Sequence, residues 1–510
     1  MKVRLLCLIK SVSVDALFCF GEIITMNILI VGNGFDLSHY LPTKYDHFMD
    51  VMSAIEGKNT GGLPKNLEEM KIDEWLNLID KTFQKREGME QPPHHMNFDE
   101  LFSKTRDPNF IEKTKEFYLT DSILLSAQDV IKAQYRLSLN CWYQYFKNHV
   151  EEIKTWIDFE QKIESALALV CRFIRKIDSK FEKYGKFEPT LKFLTKTNSE
   201  KDDNLFYISE LDFKLLVKLK LCMENNDFGK TKNYGGLGAM PDNRKGFISN
   251  NWFHAQEKVD YGFSAEKYIS FLNSQLEEFI EIFNLYLNLI VDKLKTKNSF
   301  IIDSENWQKP EKIFSFNYTS TYQQIHVAVA VEYLHGSHGE KQNIVLGIDE
   351  LKDESLKKLK AFGFTKYHQK LFKDTDYLFL DIYKNKIKMD KQKVIDLKDQ
   401  LKGEIRSEYR NYLNQDIDNK ENSKLNLKIA IWGHSLDVSD KDYIVDLFSL
   451  NDGMDRNVSI TVYYFDKNAK FSLLNNLLSI LDKDKVEYWM KNKWLQFKPN
   501  PEIKFTEAIF

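Results

Sequence analysis

The alternation of apolar and polar residues predicts short buried strands near both ends of the chain and long helices between them. Residues 27–31 form an apolar run of branched residues that ends in glycine, which is typical of a buried parallel strand. Similar runs predict further strands at 312–316, near 333–334, and at 343–346, 428–432 and 458–464. Helical spacing of apolar residues predicts helices over 44–56 and 266–296.

The middle of the chain has a different pattern. From about residue 60 to 300, helical stretches rich in Lys and Glu are separated by polar loops near 57–66, 196–204 and 225–250. Residues 352–424 are also helical in pattern and highly charged. The simplest architecture is an α/β fold, with a Rossmann-like, mostly parallel sheet built from both ends of the chain and a large α-helical insertion.

This pattern predicts an α/β core in three pieces, at 26–60, 301–350 and 426–510, the last with a C-terminal tail. The helical insertion then covers 61–300, and a charged helical segment covers 351–425. Residues 1–25 are interpreted as an extension or an upstream translation start, because Met26 stands directly before the first strand. Lys10 and Asp15 interrupt its apolar run, which disfavours a secretory signal.

Composition narrows the range of partners. With 72 basic and 75 acidic residues, the net charge of -3 provides no field that favours nucleic acid or an anionic membrane. The five cysteines are scattered and form no C-x-x-C pair, which disfavours a disulfide framework and a zinc site and favours the reducing cytoplasm. No run of about 18 apolar residues is present, so we expect no membrane span.

The first motif that suggests chemistry is Gly32-Asn33-Gly34-Phe35-Asp36, directly after the first predicted strand. Small residues there allow a tight turn and let a phosphate approach the backbone N–H groups. Leu37 stands where the dinucleotide fingerprint has its third glycine, which disfavours an ordinary dehydrogenase. The alternative is a plain strand-to-helix turn. On the phosphate interpretation, Gly34→Val abolishes nucleotide binding without unfolding the protein.

The second motif places Asn317 at a strand end and His335 in a later run, Leu334-His335-Gly336. An amide and an imidazole delivered at strand ends can hold a water molecule or a ribose hydroxyl and accept its proton. A histidine that only completes a turn is the alternative. Gly336 and Gly339 favour a ligand, because glycines let the backbone fold closely around one.

The third motif, Gly433-His434-Ser435-Leu436-Asp437, again follows a predicted strand, with Asp440 three residues later. Its similarity to the first motif predicts a position at the same edge of the sheet, where ligands of α/β proteins bind. The alternative is a helix cap formed by Asp437, Ser439 or Asp440. We expect both roles, with Asp440 as a cap.

Together these motifs resemble the phage abortive-infection AbiH family. The resemblance rests on I-L-I-V-G-N-G-F-D-L at 28–37, L-P-T at 41–43, F-N-Y-T at 316–319, L-H-G at 334–336, and G-H-S-L-D at 433–437 with Asp440. Trp156-Ile157-Asp158-Phe159-Glu160 is similar to the W-x-D-x-E segment of the family. The match runs from Met26 to about Tyr464 and implies a cytoplasmic antiphage protein with a phage-derived trigger.

The order of motifs also resembles, more distantly, the sirtuin-related NAD-cleaving domains of antiphage defence. This resemblance implies catalytic roles for Asn317 and His335 and NAD as substrate or ligand. It implies NAD binding by the first and third turns, specifically by Gly32, Asn33, Gly34, Phe35, Asp36, Gly433, Ser435 and Asp437. Thr319 replaces an acidic residue of that family. The four-cysteine zinc module of the sirtuin deacetylases is missing here, so neither protein deacetylation nor a metal is expected.

Three functions follow from these observations. The leading hypothesis is an antiphage NAD glycohydrolase that releases nicotinamide. The second is a sensor or interaction protein that binds a nucleotide without breaking a bond, which the loss of the acidic residue at Thr319 favours. The third is a metal-dependent nuclease using Asp36, Asp437 and Asp440, since hard cations prefer oxygen ligands. A homo-oligomer is compatible with all three.

Overall fold

The computed structural model divides the protein into two compact units. It describes residues 25–59, 74, 77, 95–149, 152–153, 156–184, 193–194, 206–225, 231–233, 239–241, 246–256, 259–304, 307–375, 379–422, 425–452 and 458–506. Unit 1 contains the described residues of Met1–His39, Asn298–Gly336 and Thr375–Phe510. Unit 2 contains those of Tyr40–Lys297 and Ser337–Asp374.

Unit 1 is built on a parallel sheet, and its strands in chain order are β1 (Thr25–Val31), β2 (Lys312–Ser315), β3 (Ala330–Tyr333), β4 (Asn426–Trp432), β5 (Val458–Tyr464) and β6 (Leu495–Pro499). Their spatial order is β3-β2-β1-β4-β5-β6, and every neighbouring pair is parallel. This is the strand order of the doubly wound Rossmann fold. The predicted α/β class is therefore confirmed.

Both faces of the sheet are buried, which explains why its central strands are continuous apolar runs. Ile28 and Ile30 of β1 pack on one face, where the helices that follow β4 and β5 supply much of the apolar cover. Leu29 and Val31 pack on the other face with Phe35. The helices of unit 1 are α1 (Asn33–Ser38), α2 (Thr321–Ile325), α3 (Asp381–Gly403), α4 (Ser407–Asn422), α5 (Lys441–Ser449), α6 (Lys467–Ile480) and α7 (Lys483–Lys491). A separate antiparallel pair joins Ser299–Asp303 to Glu502–Thr506.

Unit 2 is mainly helical. Its α-helices are Tyr45–Gly57, Phe98–Leu101, Pro108–Phe117, Ala127–Leu139, Cys141–Phe146, Trp156–Tyr184, Glu210–Lys218, Ala265–Leu289, Glu354–Lys358 and Lys366–Phe372. Its short strands are Met96–Asn97, Tyr118–Leu119, Leu124–Leu125, Phe193–Leu194, Phe206–Tyr207, Cys222–Glu224, Thr231–Asn233, Ala239–Pro241, Gly246–Ile248, Phe253–Gln256, Val259–Phe263 and Lys295–Thr296. None of the helices in the described residues has the length and apolar character that a membrane span requires.

The W-x-D-x-E segment has a structural role in unit 2. Trp156 packs at 4.6 Å from the ring of Phe283, and its indole N–H donates to the carbonyl oxygen of Thr43 at 3.3 Å. Glu160 lies 2.9 Å from the Nζ atom of Lys366, and both side chains are largely buried. A buried cation needs such a partner, so this motif is explained by packing and charge compensation.

Several predicted elements need correction. The strand predicted at 343–346 is wrong: its apolar side chains are buried, but the N–H groups of Ile344 and Leu346 donate to the side chains of Gln342 and Gln369 instead of to a neighbouring strand. The helix predicted over 266–296 ends at Leu289, before a short 3-10 turn. The loop predicted near 225–250 contains short strands, and the loop predicted at 196–204 lies outside the described residues, as do 60–66 of the first loop.

Candidate active site at the carboxyl edge of the sheet

The carboxyl ends of β1, β2, β3 and β4 lie side by side at one edge of unit 1. Val31 pairs with both Ser315 and Trp432, and Ser315 pairs with Tyr333, so the four strands end level with one another. From β1 the chain adds β2 and β3 on one side and β4, β5 and β6 on the other. Dinucleotides bind at such a switch point in doubly wound sheets, because the diverging turns leave a crevice there.

The turns after β1 and β4 are in direct backbone contact. The N–H of Gly32 donates to the Trp432 carbonyl at 3.1 Å, and that of Gly34 donates to the Gly433 carbonyl at 2.9 Å. A Cβ atom at Gly32 would stand 2.6 Å from the Cα of His434, and one at Gly34 would stand 2.7 Å from the Cα of Gly433. Both glycines are therefore required by the packing of one turn on the other.

This contact changes the interpretation of the first turn. Besides Gly32 and Gly34, Phe35 also uses its N–H within the protein, where it donates to the Gly32 carbonyl at 2.8 Å. These three N–H groups are thus engaged in this conformation, and a phosphate at this edge would have to be met by other donors. Nucleotide binding by the segment from Gly32 to Asp36, including Asn33, stays a prediction.

Asn317 joins the end of β2 to the turn after β1. Its side-chain Nδ2 donates to the carbonyl of Gly32 at 3.0 Å, and its own N–H donates to the Ser315 hydroxyl at 3.1 Å. Both Asn317 and Ser315 are buried. The side chain therefore connects the end of β2 to the turn after β1, which gives its amide a structural role there.

Asp36 is a buried carboxylate next to Thr319. The Thr319 hydroxyl donates to Asp36 Oδ2 at 2.6 Å, and the Thr321 hydroxyl lies 3.1 Å from the Thr319 hydroxyl. The sequence after Asn317 lacks an acidic residue, but the fold brings one to Thr319 from another strand end. An acid at this position therefore could not be found from the local sequence motif.

His335, His434 and Asp440 form a buried cluster that we call the histidine–aspartate cluster. The Nε2 atom of His335 lies 3.1 Å from Asp440 Oδ1, and the Nε2 atom of His434 lies 3.3 Å from Asp440 Oδ2. One carboxylate thus faces two imidazoles, with the exposed fraction of each of the three residues between 6% and 8%. Such an arrangement can orient an imidazole and stabilise its protonated form.

Aromatic rings enclose this cluster. The Phe316 ring lies 4.0 Å from the ring of His434 and meets the ring of His335 edge-on at 5.1 Å, measured between centroids. Tyr443 packs against Phe316 at 5.2 Å, and its hydroxyl donates to the Leu334 carbonyl at 3.2 Å. The rings cover part of each imidazole and lower the local polarity, which strengthens the electrostatic interaction with Asp440.

The third motif contains a cap, but at Asp437 and not at Asp440. The Asp437 side chain accepts from the Ser439 N–H at 3.0 Å and caps the 3-10 turn Val438–Asp440. Asp440 occupies the N-cap position of α5 without a side-chain capping bond, so the expectation that it is a cap is wrong. Ser435 is exposed, and its carbonyl accepts from Asn476 at 2.9 Å. Roles for Gly433, Ser435 and Asp437 in nucleotide binding stay predictions.

No role for His434 is predicted from the sequence, and the capping role predicted for Asp440 is wrong. The signal in the sequence is weak, because the two residues are separated by a turn whose course a pattern of apolar residues does not predict. The described residues contain no group of three or more His, Cys, Asp or Glu side chains suited to a metal ion. They therefore give no support to the nuclease hypothesis based on Asp36, Asp437 and Asp440.

A second pair of histidines, the buried His39 and the half-buried His326, lies next to the turn after β1. His39 Nδ1 donates to the Phe35 carbonyl at 2.8 Å, and its Nε2 lies 2.8 Å from Nε2 of His326. Because the Nδ1 atom of His39 carries its hydrogen when the ring is neutral, Nε2 of that ring can only accept. Burial lowers the pKa of His39 to about 3 and that of His326 to about 4.

These lowered pKa values predict that stability falls in mild acid. The folded protein keeps both rings neutral, whereas the unfolded chain protonates them near pH 6.5, so stability is lost as the pH falls from 6.5 toward 4. We expect the melting temperature to fall less between pH 7.5 and 5.5 in His326→Gln than in the wild type. The fall is reduced and not abolished, because burial also lowers the pKa of His47 in unit 2, to about 3. His368→Gln, at an exposed position, is the control and keeps the wild-type fall. Equal falls in all three proteins would place the titrating groups elsewhere.

Comparison with known proteins identifies the family. The family model for bacteriophage abortive infection AbiH matches residues 28–464, which is more than half of the chain. The chain belongs to the AbiH family. The matched range begins in β1, ends with β5, and includes every residue of the histidine–aspartate cluster. Membership in AbiH places the protein in phage abortive infection. No curated protein and no solved structure matches the chain.

Proposed function

We propose that this AbiH protein is an antiphage NAD glycohydrolase whose active site is the histidine–aspartate cluster. The observation that carries the proposal is the position of His335 and Asp440 at the switch point of a parallel sheet with strand order β3-β2-β1-β4-β5-β6. The strand order favours a dinucleotide, and a buried imidazole next to a carboxylate supplies a general base.

The chemistry demands little from the protein beyond this pair. The bond between C1′ of the ribose and the nicotinamide nitrogen breaks, and its electrons neutralise the pyridinium ring. The oxygen of a water molecule bonds to C1′ of the oxocarbenium-like ribose, and the proton of that water passes to His335 and then to solvent. The products are nicotinamide, ADP-ribose and a proton, and an imidazole that holds the attacking water accelerates the step.

The polar groups around Asn317 support the same site. Asp36 and Thr319 place a carboxylate and a hydroxyl close to the strand end that carries Asn317. In this proposal Asn317 fixes the turn after β1, and the carboxylate of Asp36 contributes negative charge near the developing positive charge of the ribose.

The second candidate function is a nucleotide-binding sensor without catalysis. It is favoured by the N–H groups of Gly32, Gly34 and Phe35, which donate to backbone carbonyls and are not presented to a phosphate. The amide of Asn317 is likewise engaged with Gly32. In this proposal a phage-derived trigger is recognised by unit 2, and ligand binding at unit 1 changes the conformation.

The decisive experiment is incubation of the purified full-length protein with NAD, with and without lysate of phage-infected cells. We expect nicotinamide and ADP-ribose in equal amounts, separated by chromatography. The same protein incubated with DNA and RNA, with and without magnesium, should leave both polymers intact. Shortened strands would support the nuclease hypothesis, and NAD binding by calorimetry without nicotinamide release would support the sensor.

A further inference from the structure

The histidine–aspartate cluster contains two imidazoles, and only one of them can act as the base. We infer that Asp440 is the positioning carboxylate of His335, and that His434 is a second positioning residue, which holds Asp440 in place and exchanges no proton with substrate. This inference rests on the proposed function for the identity of the reaction, but the contacts that carry it are those of the cluster itself.

The hydrogen bond of Leu436 defines the state of His434. The N–H of Leu436 donates to Nδ1 of His434 at 3.0 Å, so this nitrogen carries a lone pair. In a neutral ring the hydrogen is then on Nε2, which lies 3.3 Å from Asp440 Oδ2. A proton added to Nδ1 would break the contact with Leu436 inside a buried site.

Asp440 acts on His335 through its other oxygen. Asp440 Oδ1 lies 3.1 Å from Nε2 of His335 without the alignment of a hydrogen bond, so the carboxylate acts on this ring through its charge. The negative charge of Asp440 then stabilises the imidazolium. The ring of His434 lies beside the other oxygen, with Nε2 3.3 Å from Oδ2, and so limits the rotation of the carboxylate away from His335.

The surroundings make this orientation effective. Among the described residues, His335 contacts Asp440, which precedes α5, and Tyr443 of α5, whose ring lies 6.1 Å from that of His335. His434, which follows β4, contacts the other oxygen of Asp440. The apolar ring of Phe316 packs against both imidazoles. Proton exchange at His335 should therefore respond strongly to the charge of Asp440 and to the side chain at position 434.

The test uses three variants. His434→Asn and His434→Gln replace the imidazole by an amide, and Asp440→Asn removes the negative charge at position 440. In His434→Asn the amide oxygen can accept the hydrogen bond from the Leu436 N–H in place of Nδ1. The shorter side chain leaves no group in contact with Asp440. In His434→Gln the longer side chain can place its amide N–H at the position that Nε2 of His434 has in the wild type, and so keep the contact with Asp440. We measure the titration of His335 by NMR of protein labelled in its histidine rings, which reports on the cluster whether or not the protein hydrolyses NAD.

We expect Asp440→Asn to lower the titration midpoint of His335 by at least one pH unit, since the protonated ring loses its anionic partner. His434→Asn should also shift the midpoint, and His434→Gln should restore it toward the wild type. Where nicotinamide is released, the acid limb of the kcat/KM profile should move with the same midpoint.

His338→Gln is the matched control, because His338 also contacts a carboxylate, that of Asp292 at 3.3 Å, but belongs to unit 2. It should leave the titration of His335 unchanged. An unchanged midpoint in folded Asp440→Asn, or equal behaviour of the Asn and Gln variants at position 434, would overturn the inference. A protein that shows the expected shifts but releases no nicotinamide would instead overturn the proposed function alone.

Discussion

Gly433→Ala is expected to destabilise unit 1 by at least ~2 kcal/mol, since a left-handed residue with a side chain costs roughly 1–2 kcal/mol before any clash. Gly433 has a φ of +75°, and a Cβ atom there would lie 2.1 Å from the backbone nitrogen of Phe35. That neighbour is backbone and cannot rotate away. The two turns would have to separate, and the hydrogen bond from Gly34 to the Gly433 carbonyl would be lost. Chemical denaturation of the purified protein measures the effect.

Gly403→Ala is the control for this prediction. Gly403 is the last residue of α3, and a Cβ atom there meets nothing within 4 Å. Alanine is the better helix former, so we expect no loss of stability and a gain of up to ~1 kcal/mol. If Gly433→Ala were as stable as Gly403→Ala, the contact between the turns after β1 and β4 would not be part of the native structure in solution.

The same geometry revises the expectation for Gly34→Val. On the phosphate interpretation the branched side chain would block only the ligand. In the structure, a Cβ atom at Gly34 already stands 2.7 Å from Gly433 Cα, so we now expect the variant to lose stability as well as any ligand affinity. A loss of nucleotide binding in this variant therefore does not by itself locate the nucleotide.

The fold class was predictable because both faces of the sheet are covered. Burial on two sides makes β1, β4 and β5 nearly continuous apolar runs, and such runs are visible in a single sequence. The edge strand β6 was missed, because Leu495–Pro499 alternates with polar residues and ends in proline, as edge strands tend to do. The apolar run at 343–346 was wrongly predicted as a strand, because it is buried but does not pair with a neighbouring strand. Glutamine side chains accept hydrogen bonds from two of its N–H groups instead.

The candidate site was predictable only as far as strand ends reveal it. The position of Asn317 and His335 near the carboxyl edge follows from the parallel sheet, in which polar residues after buried strands meet at one edge. The partners of these residues depend on side-chain geometry that a sequence does not contain. Asp440 and Asp437 show this best: each is an acidic residue near the start of a helix, and only the turn at 438–440 makes one a cap and the other the partner of two imidazoles.

His335→Ala is expected to reduce the turnover of NAD by at least ~100-fold, the lower range for a lost general base. The ring contacts Asp440 and Phe316 and supports no strand pairing, so the variant should fold and bind NAD with an affinity close to that of the wild type. Release of nicotinamide measures turnover, and calorimetry measures binding. His338→Ala is the control variant and should keep full activity.

Asn317→Ala provides a contrast within the same site. Its amide donates to the Gly32 carbonyl, so its loss should lower both the affinity for NAD and the turnover, and should also reduce the melting temperature. If Asn317 and His335 serve one step, the double variant should turn over NAD scarcely more slowly than His335→Ala, because groups that act as a unit lose their function together.

Full turnover in His335→Ala would remove the histidine–aspartate cluster from catalysis. The engaged N–H groups of the turn after β1 would then be evidence for a sensor, in which the crevice at the switch point binds a nucleotide and leaves it intact.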